Sequence, residues 1–285
     1  MVIVDFNGIA VGSVLGQLNH GEKLSDNLVR HIVLNNIRSY RVKYPEAKHG
    51  RMVIACEGWS WRKDVYPQYK ANRTTRRATD KYDWTEIFRI LDVVIQDLKE
   101  SFPYAVIQLE RAEADDIIGA LAVEKSTPLI GEDVVIISAD KDFVQLQKHG
   151  NIIQYSPMQN KMVTADDPEY YLFEHIMKGD SSDGVPNVMS PDNSFTDGIR
   201  QTPMRKKLIN EWWENKHRLK EVMPSEAYRN YMRNREMIDL DRTPANIKEA
   251  SIESYESYKY PQRSNILDYL ITNNMKLLIE NAGEF

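Results

Sequence analysis

Short apolar runs recur through the first half of the chain, each closed by an acid, a glycine or a polar turn. They are Met1–Asp5, Met52–Cys56, Tyr104–Gln108, Val134–Ser138 and Ile152–Tyr155. Runs this short, rich in valine and isoleucine, read as strands buried on both faces. Between them, Leu24–Tyr44, Trp84–Ser101 and Ala114–Lys125 carry apolar residues at helical spacing. In the second, Ile87, Leu91, Val94, Ile95 and Leu98 form one stripe. Strands alternating with crossover helices predict an α/β fold with a mainly parallel central sheet flanked by helices. Strand order is not contained in this pattern. Beyond about Pro168 the character changes to helices without a clear strand, punctuated by Pro186, Pro191, Pro203, Pro224 and Pro244. Two regions are therefore expected, an α/β core over 1–167 and a helical region over 168–285.

Length and composition are consistent with this reading. The 285 residues, 42% of them apolar, suit one large core with an appended region. No apolar stretch reaches the length of a membrane span, and no signal peptide is read at the N-terminus. The single cysteine, Cys56, closes a strand and reads as a buried structural thiol in a reducing compartment. A cytoplasmic monomer is the expectation.

Charge matters through its distribution. The net charge of −5 argues superficially against nucleic acid, yet nine acids are concentrated in five clusters. With those set aside, the remainder is mildly basic. Residues 61–77 hold Arg62, Lys63, Lys70, Arg73, Arg76 and Arg77 against Asp64 alone, interleaved with Trp61, Tyr66 and Tyr69. Cations neutralise phosphates and aromatics stack on unpaired bases, so this segment suits single-stranded nucleic acid. A solvated loop is the plainer alternative. A second basic stretch covers residues 200–220.

The five clusters carry the chemistry. Asp5 and Glu57 each end a strand, where an open α/β sheet builds its ligand crevice. Glu113, Asp115 and Asp116 open an apolar helix, with Glu113 and Asp116 on one face and Asp115 turned away by about 100°. Acids there also favour the helix dipole without any metal. Asp140 and Asp142 end the run Val134–Ser138, where an N-cap role competes with metal ligation. Asp180 and Asp183 sit between Gly179 and Gly184 in a tight turn. Each cluster has a structural explanation, but their joint placement favours divalent cations and phosphodiester chemistry. The chain carries no G-x-x-x-x-G-K-[ST] phosphate loop, no H-E-x-x-H helix and no paired C-x-x-C motif. The six histidines show no ligand spacing and read as ordinary surface or core residues.

The ordered series Val4-Asp5, Trp61-Arg62-Lys63, Tyr69-Lys70-Ala71-Asn72-Arg73, Glu113-Ala114-Asp115-Asp116, Ser138-Ala139-Asp140-Lys141-Asp142-Phe143 and Gly179-Asp180-Ser181-Ser182-Asp183-Gly184-Val185-Pro186-Asn187 resembles the structure-specific 5′ nucleases, the flap endonuclease and 5′→3′ exonuclease family. The likeness runs nearly end to end. It implies a PIN-like nuclease core and hydrolysis at 5′ ends of RNA primers in RNA/DNA hybrids, 5′ flaps and duplex DNA. It implies two Mg²⁺ ions, with Mn²⁺ as substitute. Asp5, Glu57, Asp115 and Asp140 would surround the first, and Asp142, Asp180 and Asp183 would hold or orient the second. Glu113 and Asp116 would complete the acidic cluster. A basic arch would span about 62–77, with Tyr66 or Tyr69 stacking on bases and with Lys70 and Arg73 at the scissile phosphate. A helix–hairpin–helix over about 174–188, including Lys178, Gly179, Gly184 and Val185, would grip the duplex backbone, with K⁺ as a further ligand. The resemblance leaves room for a contact of the C-terminal region with single-strand-binding protein, while the short N-terminus argues against a sliding-clamp contact. Two departures stand out. Glu57 occupies a position that is Asp in relatives, and Met189–Ser194 lacks the glycine-rich continuation of the hairpin. They motivate an alternative, a junction-binding module with little catalysis. A single-strand ribonuclease of PIN-like type is a third reading, disfavoured by the arch and hairpin motifs.

Overall fold

The computed structural model describes residues 1–19, 21, 23–44 and 52–285; the side chains of Thr75 and Arg76 fall outside that description. All five expected strands form: β1 (Val2–Asp5), β2 (Met52–Cys56), β3 (Ala105–Gln108), β4 (Val134–Ile137) and β5 (Ile152–Ser156). A short sixth strand, β6 (Lys161–Val163), completes the sheet in the order β3-β2-β1-β4-β5-β6. Pairings among the first five strands are parallel, and β6 runs antiparallel to β5. Strand β1 thus lies between β2 and β4, the point where the winding direction reverses. Beyond the carboxyl ends of such neighbours an α/β sheet leaves a crevice.

Helix α1 (Phe6–Asn19) follows β1 without a break, and α2 (Asp26–Lys43) returns along the same side. Ser25 starts α2 by accepting a hydrogen bond from the Leu28 amide at 3.3 Å. Two short helices, α3 (Arg62–Val65) and α4 (Ala71–Ala78), come after β2, and α5 (Trp84–Ser101) precedes β3. Helix α6 (Ala114–Ser126) connects β3 to β4. Side chains alternate along β1: Val2 and Val4 join one core with α1, α2 and α5, while Met1 and Ile3 join another with α6. The sheet is therefore covered on both faces, and its strands are almost wholly apolar.

The second half is helical, as expected: α7 (Pro168–Lys178), α8 (Lys206–Glu214), α9 (Leu219–Val222), α10 (Ser225–Ile238), α11 (Ala245–Glu256), α12 (Ser264–Thr272) and α13 (Lys276–Ile279). Asp167 caps α7 through the Tyr170 amide at 2.9 Å, with Pro168 at the first position. Gly179 ends α7 at φ +67°, where an added Cβ would lie 2.3 Å from the Val185 carbonyl oxygen. The hairpin closes through the Val185 amide, which donates to the Asp180 carbonyl at 2.7 Å. Helix α8 begins only after the turn-rich stretch 186–205. Pro186, Pro191 and Pro203 there remove amide donors, and Asn187 and Ser190 bind local backbone instead. The hairpin is held from α10: Asn234 donates to the carbonyls of Ile176 and Pro186, each at 2.8 Å.

Later helices return to the α/β core. Leu240 and Ile247 pack with α6, while Ile266, Leu270 and Phe285 pack with α5; the Phe285 ring sits 5.2 Å from that of Phe102. Leu270 is fully buried in this contact. Leu270→Ala should therefore cost about 2–5 kcal/mol. In urea, far-UV circular dichroism and tryptophan fluorescence should shift together to a lower midpoint. A mutant that loses only part of the signal early would show that the last helices are not built into the core.

Candidate active site

Asp5, Glu57, Asp115 and Asp140, from separate elements, line one cleft of about 720 Å³, together with Glu113 and Asp92. Asp5 ends β1 and accepts hydrogen bonds from Ser138 Oγ at 2.7 Å and the Gly8 amide at 3.1 Å. Ser138 also receives the Asp140 amide at 3.0 Å, so one hydroxyl fixes the ends of β1 and β4 relative to each other. Glu57 follows β2 and accepts the Ala114 amide at 3.1 Å, which ties it to the start of α6. Asp115 projects from the first turn of that helix. A second arm of the cleft, about 450 Å³, shares Asp5 and Asp140 and extends past Gly12 to Met158.

Burial pushes the Asp5, Glu57 and Asp115 carboxyls above the ordinary range, and neighbouring acids add to this; for Asp115 these are Asp140 and Asp5. A proton or a cation is needed to keep these groups together.

Beside them lies a second group, Asp142, His175 and Asp180, whose ligand atoms fall within 4.8 Å of one another. Asp142 is raised to about 7, chiefly by burial and then by Asp140. Its Oδ1 is buried without a hydrogen-bond partner and faces His175 Nδ1 at 3.3 Å. His175 Nε2 meets Asp180 Oδ2 at 3.1 Å. Although burial alone would raise Asp180, hydrogen bonds from His175 and Ser182 and the charge of Lys141 hold its carboxyl far below the usual range. The sequence reading treated every histidine as unremarkable. His175 is instead five residues before Asp180, across the α7 terminus, so only the hairpin geometry brings it into the acidic group.

Cations enter from the segment after β2. Lys70 sits at φ +58°, and its amide donates to the Asp183 carbonyl at 2.7 Å. Its Nζ binds Glu113 and lies 3.6 Å from Glu57 and 3.8 Å from Asp183. Burial would favour neutral Lys70, but Asp183, Glu113 and Glu57 outweigh it and keep the amine charged. Arg73 pairs with Asp183 and lines the cleft, as do Lys63 and Arg77; the Arg77 guanidinium rests 4.7 Å from the Phe88 ring. The expected Arg76 contact lies outside the described side chains.

Other expected contacts are placed differently. Arg62 is 2% exposed and binds Glu113 at 2.8 Å, both oxygens of Asp116 at 2.9 and 3.0 Å, and the Met237 carbonyl at 2.9 Å. Asp116 also caps α6 through the Glu113 amide at 3.0 Å and accepts from Thr243 Oγ1 at 2.6 Å. Glu113 is pulled down to about 2: burial opposes this, but Lys70 and Arg62 prevail. Glu113 and Asp116 thus face the internal guanidinium, as their shared helical face implies, and Arg62 is internal rather than on the surface of an arch. Tyr66 and Tyr69 are 5% and 3% exposed. The Tyr66 hydroxyl donates to the Asp192 carbonyl at 2.6 Å, and that of Tyr69 reaches Asp183 at 2.9 Å and Glu113 at 3.0 Å. Neither presents an open ring face. At the hairpin, Lys178 is exposed and paired with Glu174 at 2.8 Å, while the Val185 side chain is buried and Gly184 turns against Asn72.

Residues 20–172 match the family described as 5'-3' exonuclease, N-terminal resolvase-like domain, and residues 166–285 match that described as T4 RNase H, C terminal. The chain belongs to the 5′-3′ exonuclease family. It is similar to the ribonuclease H of Enterobacteria phage T4, 32% identical over 292 residues that span 99% of this chain and 95% of the relative. The flap endonuclease Xni of Shewanella piezotolerans is 30% identical over 157 residues, 52% of this chain and 56% of that protein. In fold, the chain is similar to the flap endonuclease of bacteriophage T5 solved with DNA and metal ions, at TM-score 0.60 and 19% identity, over 90% of this chain and 99% of that one. The T5 5'-exonuclease with bound divalent zinc gives TM-score 0.61 at 18% identity, over 90% and 98%.

Two outcomes follow. Arg62→Met leaves Asp116 buried beside no guanidinium and should destabilise the chain by about 3–5 kcal/mol, read from the urea midpoint; an unchanged midpoint would remove Arg62 from the supporting network. The raised carboxyls bind protons more tightly folded than unfolded. Their stabilising contribution is present at low pH and is lost as pH rises through their raised values, which for Asp142 is about 7. The metal-free chain should therefore lose melting temperature as the buffer rises from about pH 5 to about pH 8. Millimolar Mn²⁺ or Mg²⁺ should raise the melting temperature more at the higher pH. A cation effect independent of pH would contradict this charge balance.

Proposed function

We propose that the cleft is the active site of a divalent-metal-dependent 5′ nuclease acting at 5′ flaps, at 5′ ends of duplex DNA and on RNA primers paired to DNA. The convergence of Asp5, Glu57, Asp115 and Asp140 beside Lys70 and Arg73 carries this reading. These residues fit hard cations. They are oxygen donors, three are held protonation-prone by burial and mutual repulsion, and Asp142 keeps a buried oxygen without a hydrogen-bond partner. Asp5, Glu57, Asp115 and Asp140 would hold one ion, and Asp142 and Asp180, with His175, a second. Mg²⁺ is the expected ion, with Mn²⁺ as substitute. Bound there, divalent ions neutralise phosphate charge and lower the pKa of water.

The chain's own groups do the rest. Ser138 sets the spacing of Asp5 and Asp140, and the start of α6 orients Glu57. Lys70 and Arg73, now occupied by Glu113 and Asp183, are the cations able to turn to a phosphate and offset the charge that develops during cleavage. Lys70 and Asp183 also link this segment to the hairpin after α7, which sets cation and carboxylate in one frame. The hairpin and the basic stretch around Arg205, Lys206 and Lys207 would take the duplex through its phosphates, so recognition follows structure rather than sequence.

The test is cleavage of an end-labelled 5′-flap duplex in Mg²⁺ and in EDTA. Cleavage should require the cation. Asp140→Asn should reduce it at least about a hundredfold while binding in a gel-shift assay persists. Binding without cation-dependent cleavage by the unaltered chain would instead indicate a junction-binding protein.

A further inference from the structure

We infer that Trp59 is the platform on which a base of the single-stranded 5′ strand stacks at the entrance to the cleft. The inference rests on the nuclease reading above and adds a specificity-determining contact to it. Tyr66 and Tyr69, the aromatics that the sequence offered for stacking, are closed off by packing and by their own hydroxyl contacts. Trp59 is the opposite case. Of the five tryptophans it alone is exposed, at 45%. It lines the same cleft as Glu57, Lys63, Lys70 and Arg73.

Its backbone is held on both sides. The Gly58 amide donates to the Ala112 carbonyl at 2.9 Å, and the Trp59 amide to the Glu110 carbonyl at 3.0 Å. A Cβ at position 58 would lie 2.0 Å from the Leu109 carbonyl oxygen, so the turn is locked against the loop before α6. The ring is therefore presented on a rigid support, and little ordering is needed when a base arrives. Trp59 is two residues from Glu57, at most about 7 Å between Cα atoms, which is within reach of a neighbouring nucleotide. Two cations lie over the ring, the Arg111 guanidinium 5.0 Å from its centroid and Lys63 Nζ at 6.0 Å, so a base stacks as one of them moves to a phosphate. A nucleotide needs this pairing, an aromatic face for its base and cations for its phosphates. Asp64, paired with Arg111, leaves Lys63 as the more readily released of the two.

The test is a binding cycle on the full chain, read by fluorescence anisotropy in EDTA. The probes are a labelled 5′-flap duplex and the same duplex with an abasic site at the flap nucleotide next to the junction. Trp59→Ala should weaken binding of the normal flap about tenfold, Trp59→Phe much less. The unaltered chain should lose a similar factor on the abasic flap, and Trp59→Ala should lose nothing further there. If Trp59→Ala binds the normal flap like the unaltered chain, or if the abasic penalty persists in it, the stacking contact is wrong. Flap cleavage by the unaltered chain in Mg²⁺, run in parallel, keeps the two readings apart. Its absence would overturn the nuclease assignment, whereas cleavage together with a null cycle would overturn only the role of Trp59.

Discussion

Like-charge crowding at the carboxyl ends of β1, β2 and β4 is the constraint on which the rest of the structure depends. Asp5, Glu57, Asp115 and Asp140 share one cleft, with Asp142 and Asp180 beside it. In water such a group would spread or protonate. Here the sheet forbids spreading, because Asp5 continues a fully buried strand and Asp140 is hydrogen-bonded to the serine that also holds Asp5. The remaining answers are protons, internal cations or bound metal. The chain uses the second where it can, placing Lys70 against Glu113 and Arg73 against Asp183. The first is favoured by the upward shifts of Asp5, Glu57, Asp115 and Asp142, which burial sets before neighbouring charges do. The third is what the nuclease reading adds.

This constraint also explains why acids close in sequence play different parts. Glu113, Asp115 and Asp116 all open α6, yet Asp115 and Glu113 line the cleft with Asp5 and Asp140 while Asp116 does not. Asp116 turns inward to Arg62 and Glu113 bridges Arg62 and Lys70; Arg62 is anchored in turn on the Met237 carbonyl at the end of α10. One helix terminus therefore places Asp115 in the cleft, Asp116 in the interior and Glu113 between them. It also binds the helical half of the chain to the cleft. The hairpin after α7 is tied in the same way, through Asp183 to Tyr69, Lys70 and Arg73 and through Asn234 to α10.

Much of the architecture was legible in the sequence because buried parallel strands leave little choice of residue. The runs Met52–Cys56 and Val134–Ile137 are apolar at every position and could hardly be anything else. Helix α1 escaped notice because Gly8, Gly12 and Gly16 dilute its apolar stripe, although Phe6, Ala10 and Val14 keep the buried face. Strand β6 escaped because three residues with little burial carry no period. At the site, acids at strand ends could be picked out because strand termini converge at a switch point whatever the intervening sequence. His175, by contrast, joins the second acidic group only through the Gly179 turn. The interleaved aromatics Tyr66 and Tyr69 looked exposed because pattern alone does not show that the hairpin covers them. Arg62 was misleading for the same reason: a guanidinium in a basic segment reads as surface until Glu113 and Asp116 are seen to enclose it.

The most direct measurement is anomalous diffraction from a crystal of the full chain equilibrated with Mn²⁺. The account predicts one anomalous peak within bonding distance of carboxylates from Asp5, Glu57, Asp115 and Asp140, and a second beside Asp142 and Asp180. A map with Mn²⁺ bound elsewhere and these carboxylates bare, at a pH above the range in which they hold protons, would contradict it.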